Sequence, residues 1–245
     1  MARYFIEVSY KGTNYSGFQV QQNANSIQAE VEKALQIFFR ENFELTGSSR
    51  TDAGVHALKN FFHFDSDNMP DEEILNASVY NLNAILPDDI VINNIRKVAS
   101  EAHCRFDAKS REYKYYIYQD KNPFLADRAF YFPYRLDIEE LQAAADLILQ
   151  YEDFTSFSKR NTQVKTFHCI IQKSEWIIEN ETIVYKVIGN RFLRGMVRGL
   201  VGTMLRVGTG KISLNDFISI IESKDSSKAD FSVPPQGLFL TNVEY

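Results

Sequence analysis

One order of apolar periodicity occurs twice along this chain, and it constrains the fold more than any other feature. Residues 3 to 10 (RYFIEVSY) alternate as a strand does, and the stretch KGTNYSGFQVQQNAN behind them is rich in turn formers. Ser26 is a good cap for a helix over residues 27 to 39, where Ile27, Val31, Leu35 and Phe38 recur at helical spacing. Short apolar runs at 43 to 46 and 59 to 65 follow, then a helix over 71 to 83 behind Pro70 and a strand at 89 to 98. The order is β-α-β-β-α-β. It begins again with the aromatic strand REYKYYIYQ at 111 to 119. Asp137 and Glu140 form a capping box that opens a helix to about residue 150. Strands near 166 to 178 and 182 to 188 flank the turn Glu-Asn-Glu. Helical segments at 191 to 207 and 213 to 223 precede a last strand at 237 to 243.

A doubled order of this kind implies an α+β protein of two ferredoxin-like, RRM-like halves, each an antiparallel sheet with helices on one face. The boundary falls near residue 105, giving an N-terminal half of residues 1–105 and a C-terminal half of residues 106–245. Pairing the two sheets side by side or face to face would leave a cleft between the halves, and pattern alone does not choose between those arrangements.

Charge and cysteine usage narrow the class. The formal net charge of −5 argues against a protein coated in positive charge for non-specific nucleic-acid binding. Acidic residues gather at 70 to 73, 87 to 89 and 137 to 140, whereas residues 189 to 211 hold five Arg or Lys and no acid. One local cationic surface is therefore expected. On a helix over 191 to 206, Arg191, Arg194 and Arg198 would fall within about 60° of one another, with Leu193, Val197, Leu200 and Met204 opposite and Asn190 as cap. Such a face suits a phosphate backbone; a solvated arginine face on a packed helix is the bland alternative. The start MARYFIEVSY lacks the basic and apolar regions of a signal peptide, and no apolar run approaches the ~20 residues of a membrane span. Two cysteines are too few for a disulfide scaffold. A cytoplasmic protein is expected, with no membrane partner.

The stretch TGSSRTDAGVHA, residues 46 to 57, sets the chemical question. Asp52 is a lone carboxylate two residues after Arg50 and two before Gly54. Thr-Asp-Ala-Gly reads as a tight turn with the carboxylate on backbone N–H groups; the alternative is catalysis. Two other motifs point elsewhere. His103-Cys104 and His168-Cys169 invite a zinc reading, but neighbours on a strand face opposite ways, so neither dipeptide readily supplies two ligands and no metal is expected. VGTGK at 207 to 211 hints at a phosphate loop, but Leu205 stands where the first glycine is required, so no nucleotide cofactor is expected.

Taken together, YKGTNYSGFQVQ (10 to 21), GSSRTDAGVHA (47 to 57), RFDAKSREYKY (105 to 115) and NRFLRGMVRGLVGTML (190 to 205) resemble the tRNA pseudouridine synthase A family. LNAILPDDI, DFTSF and PPQGLFL extend the likeness over nearly the whole chain. The resemblance implies a cofactor-free homodimeric isomerase that converts uridines 38, 39 and 40 of the tRNA anticodon stem-loop to pseudouridine. It implies that Asp52 is the essential carboxylate and that Arg198 pairs with it. Tyr113 would stack on the uracil, Arg50 would displace the target base, and Leu238 would be an apolar neighbour of the active site. The reaction detaches the base, turns it and rejoins it through C5, so a carboxylate serves as nucleophile or general base on a uridine flipped from its stack. Arg191, Arg194, Lys159 and Arg160 are the expected RNA contacts, the last two standing in for the Arg that many members carry where Ser158 stands here. Phe18 replaces the usual Trp and Val233 a more common Ala. Two rivals remain: a double RNA-recognition module that stacks bases on EYKYYIY, and a glycosidic hydrolase, which would need a carboxylate pair such as Asp65 and Asp67.

Overall fold

The structure is a computed structural model that describes residues 1–159 and 164–245. The chain is a mixed α/β protein whose strands pair almost entirely antiparallel, with five α-helices among the described residues. None of those helices is long and apolar enough to cross a membrane. It divides into two compact units, Met1–Lys109 with Leu240–Tyr245, and Ser110–Phe239.

In the first unit the order is β1 (Ala2–Tyr10), α1 (Ile27–Phe39), β2 (Thr46–Gly47), β3 (His56–Ser66), α2 (Glu72–Ile85) and β4 (Ile90–Val98). The strands lie as β4-β1-β3, with β2 on β3. Register places Glu7 opposite Phe61 and Asn94. The period-2 alternation then sends Ile6 and Val8 into the core with Val31, Leu35, Phe62, Leu75, Ile92 and Ile95, all nearly inaccessible to solvent. Helix α1 obeys its sequence signals: the Ser26 hydroxyl accepts from the Ala29 N–H at 3.2 Å, a cap worth about 1 kcal/mol, and Ile27, Val31, Ala34 and Leu35 are its buried stripe. Helix α2 starts one residue later than the 71 to 83 reading and runs on to Ile85. It stops at Leu86, whose extended backbone (ψ 151°) is what a residue before proline adopts.

The second unit holds β5 (Ser110–Tyr118), β6 (Phe130–Tyr131), α3 (Ile138–Ile148), β7 (Ile171–Glu179), β8 (Thr182–Gly189), α4 (Met196–Gly208) and α5 (Leu214–Glu222); β9 (Leu238–Glu244) begins at its end. Strand order is β5-β8-β7, and β6, absent from the sequence reading, runs parallel to β5. The β7–β8 hairpin turns on Asn180 and Glu181, both at positive φ (44° and 66°), the backbone of a two-residue turn matched to sheet twist.

Three expectations are corrected. Residues 166 to 170 are not strand: Phe154 donates to Phe167 O and Cys169 to Glu152 O, so this stretch pairs with the loop after α3, and β7 begins only at Ile171. Asp137 accepts from the Glu140 N–H at 3.1 Å, but the full reciprocal capping box is made by Ser213 and Asp216 at α5. Most consequential, α4 begins at Met196, not 191. Asn190 spends its side-chain oxygen on the Ile170 N–H (2.9 Å) instead of capping a helix, and Gly195, at φ 74°, turns the chain into α4. Arg191 and Arg194 therefore precede the helix, and the three arginines do not share a helical face.

Candidate active site

In the first unit the RTDAG stretch is a turn clamped from several sides. Val55 donates to the Asp52 carbonyl at 3.2 Å, a backbone bond that closes the turn. Phe18 N–H donates to Thr51 O (3.1 Å), and Gly12 N–H to His56 Nδ1 (3.1 Å). A Cβ on Gly12 would run into the Val55 carbonyl, which is why the loop after β1 needs glycine there. Phe18, in place of a tryptophan, stacks on Phe62 at 4.4 Å with the planes 9° apart. Thr51 is buried, Asp52 half-buried and Arg50 exposed. The buried side of the segment is held by polar groups: Asn60 bonds both backbone groups of Ser49, and the Tyr10 hydroxyl meets Thr51 Oγ1 at 2.7 Å. Sequence reading missed Asn60 and Tyr10. The available signal was an amide inside the otherwise apolar run NFFHF.

In the second unit Arg198 lies on the first turn of α4. Its Nε and Nη2 donate to the Val233 carbonyl at 2.9 and 2.6 Å, and Nη2 also reaches Phe231 O at 3.4 Å. Because Val233 is held through its backbone, valine in place of alanine leaves that bond intact. Leu238 follows at the start of β9, buried. Tyr113 sits on β5 opposite Val187, 9 % exposed, with its ring edge-to-face on Phe192 at 5.0 Å. Lys159 N–H donates to Arg194 O (3.0 Å), and the Lys159 stem lies against Gly195, so Lys159 and Arg194 do come together. Arg194 is exposed and Arg191 half-buried; burial pushes the Cys169 thiol up to about 11 while Arg191 pulls it back. Arg160 lies outside the described residues.

The rival readings fare differently. VGTGK is the C-terminal end of α4, where the helix dipole repels a phosphate. Asp65 is taken up by a bidentate pair with Arg3 (2.8 and 2.7 Å), and Asp67 by the terminal amine, so these two do not form a hydrolytic pair. On β5 the face with Glu112 and Lys114 is laced by the ion pairs Lys186–Glu112 (3.0 Å) and Lys114–Glu179 (2.8 Å), which is not an open aromatic platform for bases.

His103-Cys104 lies in a turn, not on a strand, and both residues converge on His63. Cys104 Sγ is 3.1 Å from His63 Nδ1 and donates to Thr46 O at 3.2 Å. His103 Nδ1 accepts from the N–H groups of Arg105 and Phe106, at 3.1 and 3.4 Å. With those bonds made, the neutral ring carries its proton on Nε2, so holding an ion would require His103 to give up its contacts to Arg105 and Phe106. The three side chains lie within 4.8 Å of one another and are hydrogen-bonded as a group. Burial, then the neighbouring His103, pushes the His63 imidazole down to about 4. A histidine depressed in the folded state contributes stability above its unfolded value of ~6.5 and loses it as pH falls toward the folded one. Between pH 7 and 4 the intact protein should lose on the order of 2 kcal/mol more stability than His63→Gln, read by urea unfolding at each pH. Parallel pH profiles would refute that assignment.

A family model described as tRNA pseudouridine synthase matches residues 6–107 and 149–245. The chain belongs to the tRNA pseudouridine synthase family, isomerases that turn uridine into pseudouridine. It is 44 % identical to tRNA pseudouridine synthase A of Parabacteroides distasonis over 245 residues, covering 100 % of this chain and 96 % of the relative. The protein of that name in Bacteroides thetaiotaomicron is 45 % identical over 248 residues (100 % and 91 %), and that of Staphylococcus aureus 36 % over 244 (98 % and 91 %).

Proposed function

We propose that this chain isomerises uridines 38, 39 and 40 in the anticodon stem-loop of tRNA, with Asp52 as the essential carboxylate acting as nucleophile or general base. Arg198 is its charge partner, Tyr113 the surface on which the extruded uracil stacks, Arg50 the side chain that displaces the base, and Leu238 an apolar wall. Arg191, Arg194, Lys159 and Arg160 meet the tRNA backbone. The chain works without a cofactor, as a cytoplasmic homodimer. Its two units are ferredoxin-like halves, a reading supported by the β4-β1-β3 order with β2 on β3.

The observation that carries the reading is the RTDAG turn. It is closed by backbone bonds, backed by buried polar side chains, and presents Asp52 beside an exposed Arg50. Purified protein acting on unmodified tRNA should place pseudouridine at 38, 39 or 40, read by carbodiimide adduct mapping. Modification confined to another arm of the tRNA would overturn the assigned position.

A further inference from the structure

Two polar side chains fixed in the strand framework of the first unit hold the turn on either side of Arg50. Asn60, on β3, has no solvent exposure. Its Oδ1 accepts from the N–H groups of Ser49 (3.3 Å) and Phe61 (2.9 Å), and its Nδ2 donates to Ser49 O (2.8 Å) and to Tyr10 Oη (3.1 Å). Both donors and both lone pairs of the amide are therefore in use. Tyr10, the last residue of β1 and 5 % exposed, receives that N–H, and its hydroxyl shares a 2.7 Å hydrogen bond with Thr51 Oγ1. The bonds form a relay, Asn60 to Tyr10 to Thr51, ending next to Asp52. Along the same segment Ser49 is buried, Arg50 exposed, Thr51 buried and Asp52 half-buried. Pinning residues 49 and 51 inward commits residues 50 and 52 to the other side.

We propose that Asn60 and Tyr10 are positioning residues for the isomerisation, holding the Asp52 carboxylate and the Arg50 guanidinium at their working geometry through Ser49 and Thr51. The inference rests on the reading of Asp52 as the essential carboxylate. A buried amide with every bond made is costly to alter, since each deletion leaves an enclosed partner unsatisfied. Its effect on rate is separate: a carboxylate displaced by about 1 Å from its attack position forfeits on the order of a hundredfold in turnover.

The test separates positioning from stability. Tyr10→Phe removes one hydroxyl and keeps the ring, so it folds more readily than Asn60→Leu, which serves as the stronger variant. Tyr15→Phe is the control, because the Tyr15 hydroxyl is also tied within this unit, but to the Asp89 carboxylate at 2.5 Å. All are assayed with intact tRNA well below their melting points, beside Asp52→Asn. The expected result is a kcat lower by about tenfold or more for Tyr10→Phe with KM within about twofold, and an unchanged kcat for Tyr15→Phe despite a lower Tm. A Tyr10→Phe enzyme at full kcat beside an inactive Asp52→Asn overturns the positioning role alone. Turnover retained by Asp52→Asn overturns both readings.

Discussion

Asp52→Asn should bind tRNA as the intact protein does and turn it over at least about 10⁴-fold more slowly. The substitution keeps size and shape and removes only the charge and the second oxygen acceptor. It does not touch the bond that closes the turn, which uses the Asp52 carbonyl. Local geometry should therefore survive, and the loss should fall on kcat. A change confined to KM would mean that the carboxylate only helps to hold RNA.

The second large effect is expected at Arg198. Its guanidinium forks onto the Val233 carbonyl, and lysine, a single point donor, cannot reproduce that fork. With Arg198 as the proposed charge partner of Asp52, Arg198→Met, which keeps the length of the stem, should lower kcat about 10²- to 10³-fold. It should also cost about 1 to 3 kcal/mol of stability by leaving the Val233 carbonyl short of its donor. Arg198→Lys should recover more of the stability than of the rate. Equal recovery of both would make the residue a structural clamp alone.

How far the sequence could be read depended on whether the deciding bonds were local. Helix α1 was legible to the residue because Ser26 and the Ile27, Val31, Leu35 stripe are signals within one helix. The start of α4 was not: Asn190 bonds Ile170, twenty residues away, and Lys159 lies over Gly195, contacts that no local window contains. The arginine face built on that helix failed with it. His103-Cys104 misled for a related reason, since the strand rule of opposite faces does not hold in a turn. Asp52 stood out as a lone carboxylate, but only the family pattern turned it toward catalysis, because Thr-Asp-Ala-Gly alone spells a turn, and a turn it is. The relay behind it joins β1 and β3 through side chains fifty residues apart in sequence.

The role of Asp52 is read most directly by tritium release from unmodified tRNA labelled at C5 of uridine, comparing the intact protein with Asp52→Asn. Rejoining the base through C5 must expel that hydrogen. The intact protein should release tritium and the variant only background at equal tRNA occupancy; release by both at similar rates would remove Asp52 from the mechanism.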